Sequence, residues 1–296
     1  MTRPRHAAGR LALGLLVVSL AACDTTPSAI PSPTATPEPT ATTSSYDLMT
    51  TVWYAGLVMT FGRATAVLDD RGGSVTVELR LENSGTDDVT LDSPILLVVG
   101  GTPIEPTRET VLPSVTAGGS AFTTLHFNVV GETSVDDAIL RIGAADRHKA
   151  IVPFAGSTTT AVTLEPVELA LKGTETAGDL RLALTQGELR WDLPDWADEL
   201  PSGSASLTLT YDVTYTGSFV GGTAFTGDNI GLMLPDGTFL SPRADGRSQS
   251  VTVVGPGKTV RRLATRFEIP ANTAGTYTLL LGWNGKQGKL KLTLPG

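Results

Sequence analysis

The chain has 296 residues, with 22 Lys and Arg against 30 Asp and Glu, a net charge of −8. An acidic balance of this kind argues against nucleic acid and anionic lipid as docking partners, because both repel it. One cysteine excludes an intramolecular disulfide, and 32 Gly with 19 Pro leave few stretches for long helices, so strands and turns are expected.

Residues 1–22 open with Arg3, Arg5 and Arg10, run through the apolar stretch Leu11 to Leu20, and close on Ala21-Ala22 before Cys23. A basic start, a short apolar core and small residues before a cleavage point make a secretory signal. The apolar run is too short for a spanning helix, which needs ~20 residues. The Cys directly after the small residues resembles the bacterial lipobox. That resemblance implies a diacylglyceryl group on the Cys23 thiol and cleavage that leaves Cys23 first. Acyl chains of the palmitate kind would then hold the chain at the outer face of the cell membrane, and two chains anchor stably where one is marginal. Without the three signal arginines, 19 basic and 30 acidic side chains remain, a net of −11.

Residues 23–45 hold the lipidated Cys and a Pro/Thr/Ser spacer with nothing to bury. Such a composition favours an extended, disordered tether of ~3.1 Å per residue, up to roughly 70 Å in all. From Tyr46 the pattern turns to alternation. Val75, Val77, Leu79 and Leu81 share one face, and Thr76, Glu78, Arg80 and Glu82 the other, which predicts a half-buried antiparallel strand. Asn83-Ser84-Gly85 predicts a turn after it. Thr51 to Thr60 is expected as the first strand of this half, with Trp53, Ala55, Leu57 and Met59 on one face and Trp53 in the core. Ile95 to Val99 is an apolar run of sandwich-core type, and Thr124 to Val129 alternates again.

The second half repeats this order. Leu207, Leu209, Tyr211, Val213 and Tyr215 share a face. Thr102 to Pro106 aligns with Thr238 to Pro242, Ala117 to Ser120 with Gly255 to Lys258, and His126 to Val129 with Arg266 to Ile269. The offset drifts only from 136 to 140, which reads as an internal duplication. Two folded domains are expected, 46–155 and 163–296, joined by a short linker at 156–162. These blocks resemble the telokin-like immunoglobulin domain of secreted antigens and lipoproteins. The resemblance is carried by a strand ending in an Asn/Gly turn, a Gly-containing hairpin followed by Pro, and a Phe-x-Val/Ile-Pro strand. The first half departs from it at Val129-Val130, where Pro is expected, and the second matches at Ile269-Pro270. It implies tandem immunoglobulin-like antiparallel β-sandwiches, an all-β chain, and no catalytic residues.

The residues themselves point away from catalysis. His126 alternates onto a polar face with Thr124 and Asn128, and His148 lies in Arg147-His148-Lys149, an exposed context. No nucleophile or phosphate-loop spacing accompanies them, and Gly255-Pro256-Gly257-Lys258 reads as a hairpin turn. The chain is expected not to be an enzyme, and to use neither cofactor nor metal.

One segment, Gly187 to Pro201, has no counterpart in the first half, where Asp69 to Gly73 makes a short hairpin. It holds Trp191 and Trp196, two of four tryptophans, and five acids. Trp191, Trp196, Asp192 and Asp195 are therefore the candidate ligand-binding residues, since Trp rings stack on sugar faces and anchor protein contacts. The alternative is a local plug, with both rings folded over the sandwich end. Asp192, Asp195, Asp198 and Glu199 offer hard oxygens, but their spacing matches no calcium loop. Phe219 to Asn229, with its glycines and two Phe, is expected as a flexible loop. Candidate partners are an envelope protein or a cell-wall glycan, besides the membrane reached through Cys23.

Overall fold

The computed structural model describes residues 40–132, 134–194, 198–244, 250–272 and 274–295, so the expected signal, Cys23 and most of the spacer lie outside the described residues. The first half contributes β1 (Thr42–Tyr54), β2 (Leu57–Asp69), β3 (Gly72–Asn83), β4 (Ile95–Val99), β5 (Thr102–Ile104), β6 (Ser120–Val130), β7 (Ile139–Ile142) and β8 (Ala150–Pro153). They form one sheet in the order β1-β2-β3-β6 and another in the order β5-β4-β7-β8. Next come β9 (Val167–Leu169), β10 (Gly173–Ala177), β11 (Leu180–Arg190), β12 (Asp192–Leu193), β13 (Asp198–Glu199), β14 (Ser204–Tyr215) and β15 (Thr223–Phe225). The chain then closes with β16 (Ile230–Met233), β17 (Phe239–Leu240), β18 (Thr252–Val254), β19 (Thr259–Pro270), β20 (Gly275–Trp283) and β21 (Lys286–Leu294). Their sheets run β10-β11-β14-β19, with β9 also pairing β11 as a fifth strand, and β17-β16-β20-β21, with β12-β13 and β15-β18 as two-stranded ribbons.

The two halves visit corresponding strands in the same order, and every sheet pairing is antiparallel. Leaving out β1 in the first half, and β9 and β10 in the second, three strands face four in each half, the layout of an immunoglobulin-like sandwich. The aligned blocks coincide in detail. Just after Pro106, the Thr107 N–H donates to His126 O at 2.7 Å; just after Pro242, the Arg243 N–H donates to Arg266 O at 2.8 Å. Register slips occur between Phe61 and Ala64 in β2 and between Leu184 and Gln186 in β11.

Burial follows the alternation. Val75, Val77, Leu79 and Leu81 are buried, as are Leu207, Leu209, Tyr211, Val213 and Tyr215. The inward faces make two hydrophobic clusters, one from Leu48 to Phe154 around Phe61 and Phe127, the other from Leu169 to Leu294 around Phe267 and Tyr277. Burying each such ring contributes ~1.5–3 kcal/mol.

Four local expectations are corrected. Thr51 to Thr60 is a hairpin, not one strand. Ala55 and Gly56 both have positive φ, +48° and +82°, the two-residue turn that matches strand twist. Tyr54 therefore pairs with Leu57 and Val52 with Met59 on the inward face, while Trp53 pairs with Val58 on the outward face. Trp53 is only half-buried, and Tyr54 occupies the core position instead. The end of the expected spacer, Thr42 to Ser45, pairs with Leu68 to Thr65 of β2 and is strand. The loop expected at Phe219 to Asn229 carries β15, whose Phe225 is buried edge-on against Tyr211 with ring centroids 6.0 Å apart. Val162, placed in the linker by sequence, exchanges backbone hydrogen bonds of 3.0 and 2.9 Å with Ile151 of β8.

Candidate functional site: the acidic tryptophan loop

The segment singled out by sequence links β11 to β14, at the position where the first half has only the tight β2–β3 turn. It reaches the first sandwich. Asp192 is 6% exposed, and its Oδ2 accepts the Gly56 N–H at 2.8 Å across 136 residues. The hairpin turn corrected above thus has a second role: its positive-φ Gly56 presents an N–H to a carboxylate from the other sandwich. A Cβ on Gly56 would sit 2.8 Å from Pro194 O, so the close approach requires glycine.

Arg190, two residues before Asp192, completes the pair. Its Nε donates to Asp192 Oδ1 at 2.7 Å, its Nη2 to Oδ2 at 3.1 Å, and its Nη1 to Glu188 Oε1 at 3.2 Å. Burial by itself lowers the guanidinium pKa, but the hydrogen bonds and charge of Asp192 and Glu188 outweigh it and hold Arg190 above its ordinary value. With both side chains largely desolvated, each needs the other.

A second polar group lies beside it. Ser93 Oγ donates to Glu199 Oε2 at 2.9 Å, and Arg147 Nη1 donates to Glu199 O at 3.0 Å. His148 Nε2 donates to Ser204 O at 2.6 Å, and the Ser202 N–H donates to Asp146 O at 3.0 Å. The Tyr54 hydroxyl donates to His148 O at 3.0 Å; burial first, and the nearby Glu199 carboxylate second, push its pKa up. His148, expected in solvent, is thus part of the contact between sandwiches. His126 is half-buried on the first sandwich, with Nδ1 3.7 Å from Glu109 Oε2.

The structure therefore places the predicted residues as follows. Trp191 is half-buried and packs on the second core. Asp192 is buried, with its two oxygens taken up by three protein donors. Asp195 and Trp196 lie outside the described residues, as does the side chain of Asp198. Sequence reasoning missed Gly56, Tyr54, Ser93, Arg147 and His148, because none is adjacent in sequence to the loop it meets. Beside the junction, a cavity of about 410 Å³ opens on the first sandwich, lined by Ser93, Ile95, Leu96, Glu105, Thr107 and Leu125 among others. Among the described residues no cluster of three His, Cys, Asp or Glu fits a metal ion, and no helix is long and apolar enough to cross a membrane.

No protein-family model matches this chain, and no curated protein matches it. Among solved structures, the crystal structure of the conserved domain protein from Bacillus anthracis aligns with a TM-score of 0.28 and 9% identity, over 85% of this chain and 92% of that chain. A score of that size assigns neither fold nor function to this chain.

Proposed function

We propose that this chain is a lipid-anchored, extracytoplasmic, non-enzymatic interaction protein. Its signal ends at Ala22, Cys23 carries the diacylglyceryl anchor, and the spacer holds two sandwiches away from the membrane to contact an envelope or secreted protein. We also read the sandwiches as relatives of the telokin-like immunoglobulin domain, a reading that rests on the aligned blocks and draws support from the repeated strand order. The observation that carries the functional reading is the buried junction. The Asp192–Arg190 pair and the Gly56 N–H fix one sandwich against the other, so a partner meets surfaces at a set spacing rather than two loosely tethered domains. Rigid display of this kind lowers the ordering cost of association. A glycan reading of the Trp191/Trp196 loop has less support, because Asp192 is already saturated and Trp191 packs on the core.

The test is crosslinking in intact cells, followed by mass spectrometry of what co-purifies, alongside Cys23→Ser. The reading expects a recurrent protein partner and loss of membrane fractionation in Cys23→Ser. Recovery of the chain alone, or unchanged fractionation of Cys23→Ser, overturns it. A tryptophan fluorescence shift with wall polysaccharides, lost in Trp191→Ala/Trp196→Ala, would favour the glycan reading instead.

A further inference from the structure

Two irregularities meet on the outward face of β11-β14-β19. In β11 the register slips between Leu184 and Gln186. In β19 Arg261 and Arg262 together oppose Asp212 of β14, between the pairs Tyr211–Leu263 and Val213–Val260. Bulges of this kind re-aim side chains and are common beside binding sites. Arg262 is held at φ +56°, a left-handed conformation that costs energy in any residue with a Cβ. The Asp212 carboxylate holds it there, with Oδ1 accepting the Arg262 N–H at 3.0 Å. Between the two slips lies a groove of about 510 Å³, lined by Thr185, Gln186, Thr210, Asp212, Arg261 and Arg262.

The duplication supplies an internal control. With His126 aligned to Arg266, the place of the two arginines falls on Phe122, and there β6 pairs β3 without a slip from Gly72–Val130 to Glu82–Ser120. The fold therefore requires neither the β19 bulge nor the strained arginine. A groove of about 440 Å³ is present at that place too, but its chemistry differs. Its cation, Arg80, is paired with Glu82 at 2.9 Å, lies 5.7 Å from the Phe122 ring, and shares the groove with Glu78.

Charge selects the ligand. Arg261 and Arg262 are exposed, and neither makes an ion pair among the described residues. Arg181, beside Thr214 on the same face, adds a third such cation. Against them stands Asp212, while the next carboxylate along β11, Glu188, is held by Arg190 at 3.2 Å. A phosphate monoester carries about −1.5 to −2 charges and three acceptor oxygens, which matches two guanidiniums. Their planar forks suit phosphate oxygens. The Thr185 hydroxyl is already spent on Thr210 O at 2.9 Å. That leaves the Gln186 amide, the Thr210 hydroxyl and the second Asp212 oxygen for hydroxyl groups on the ligand. A polyanion would also meet the acidic remainder of a chain of net −8. A single phosphate feels mainly the groove, because exposed charges beyond about 8–10 Å are screened at physiological salt.

We infer that this groove binds a small sugar or polyol phosphate monoester, with Arg261 and Arg262 on the phosphate and Asp212, Gln186 and Thr210 on its hydroxyls. The β19 bulge and the strained Arg262 serve to bring both guanidiniums to one side of Asp212. This inference does not depend on the function proposed above.

Amide chemical shifts of the full chain in detergent micelles, titrated with glycerol 3-phosphate, test it. Titration to about 10 mM covers a Kd of about 1 mM, the range of a small ligand on an open site. The expected result is saturable shifts at the amides of Gln186, Thr210, Asp212 and Arg262, and none with glycerol. Arg261→Glu and Arg262→Gly each weaken binding at least tenfold. Arg262→Gly does not lower the melting temperature, because glycine adopts a positive φ without strain. Arg108→Glu, at an exposed position on the first sandwich, changes the net charge as Arg261→Glu does and leaves binding unchanged. Absence of saturable shifts at these amides overturns the inference, as does glycerol binding as tightly as its phosphate. Equal losses in Arg108→Glu and Arg261→Glu overturn it by showing a whole-chain charge effect. A lower melting temperature in Arg262→Gly overturns it by showing that the arginine serves the fold. Inorganic phosphate binding as tightly as the ester overturns the hydroxyl contacts.

Discussion

Asp192→Ala removes the acceptor at the centre of the junction, and its effect follows from the geometry. The Gly56 N–H loses its acceptor in a buried setting, a loss of ~1–3 kcal/mol. Arg190, whose side chain is 14% exposed, keeps only the 3.2 Å contact to Glu188, and breaking a buried pair from one side costs ~3–5 kcal/mol. The two losses share one site and do not add, and Glu188 moderates the second, so ~3 kcal/mol is the expected total. Each sandwich has its own core, so this loss falls on local opening of the junction. The direct assay is amide hydrogen exchange at Gly56 in the native chain. At 1.36 kcal/mol per decade, 3 kcal/mol accelerates it by roughly 150-fold. Asp192→Asn keeps one oxygen and loses the charge, so it accelerates exchange less. A change under about fivefold in Asp192→Ala would refute the view that this carboxylate holds the sandwiches together.

Further outcomes are expected. Burial pushes the Tyr211 hydroxyl up to about 12, against the smaller opposing effect of its 2.5 Å hydrogen bond with Thr265. Above pH 10 the unfolded tyrosine ionises while the folded one stays neutral, so stability is full below pH 10 and falls by about 2 kcal/mol as pH rises to 12. Urea melts across that range should show the slope, and Tyr211→Phe should make it shallower, with buried Tyr54 supplying part of what remains. Gly56→Ala forces a Cβ against the Pro194 backbone at φ +82° and should destabilise the junction by ~1–3 kcal/mol, read by the same exchange experiment on neighbouring amides. Millimolar Ca²⁺ should leave the melting temperature where a chelator leaves it, because the Asp192 oxygens are already held by Gly56 and Arg190.

Much of the fold was legible in the sequence because it is written at period two. The inward runs of the strands over residues 72–83 and 204–215 needed only alternation, and the duplication needed only the Pro, Gly and Phe landmarks that recur at nearly constant offset. The hairpin at Ala55-Gly56 escaped for a specific reason. Alternation continues unbroken on either side of a two-residue turn, but the face it names is exchanged, so alternation alone reads Trp53 as inward and Tyr54 as outward.

The acidic tryptophan loop shows the limit most clearly. Its composition was enough to mark Gly187 to Pro201 as unlike the rest of the chain, and to name Trp191 and Asp192 within it. Composition alone offered both ligand binding and packing, since both use aromatic and acidic side chains. Only the tertiary structure brought Gly56, Ser93, Arg147 and His148 to that loop, from as far as 136 residues away in sequence. Local sequence fixes which face of a strand is apolar, because that is decided by neighbours two residues apart. Which buried N–H meets a carboxylate is decided by how two complete sandwiches pack, and that depends on residues no short window contains.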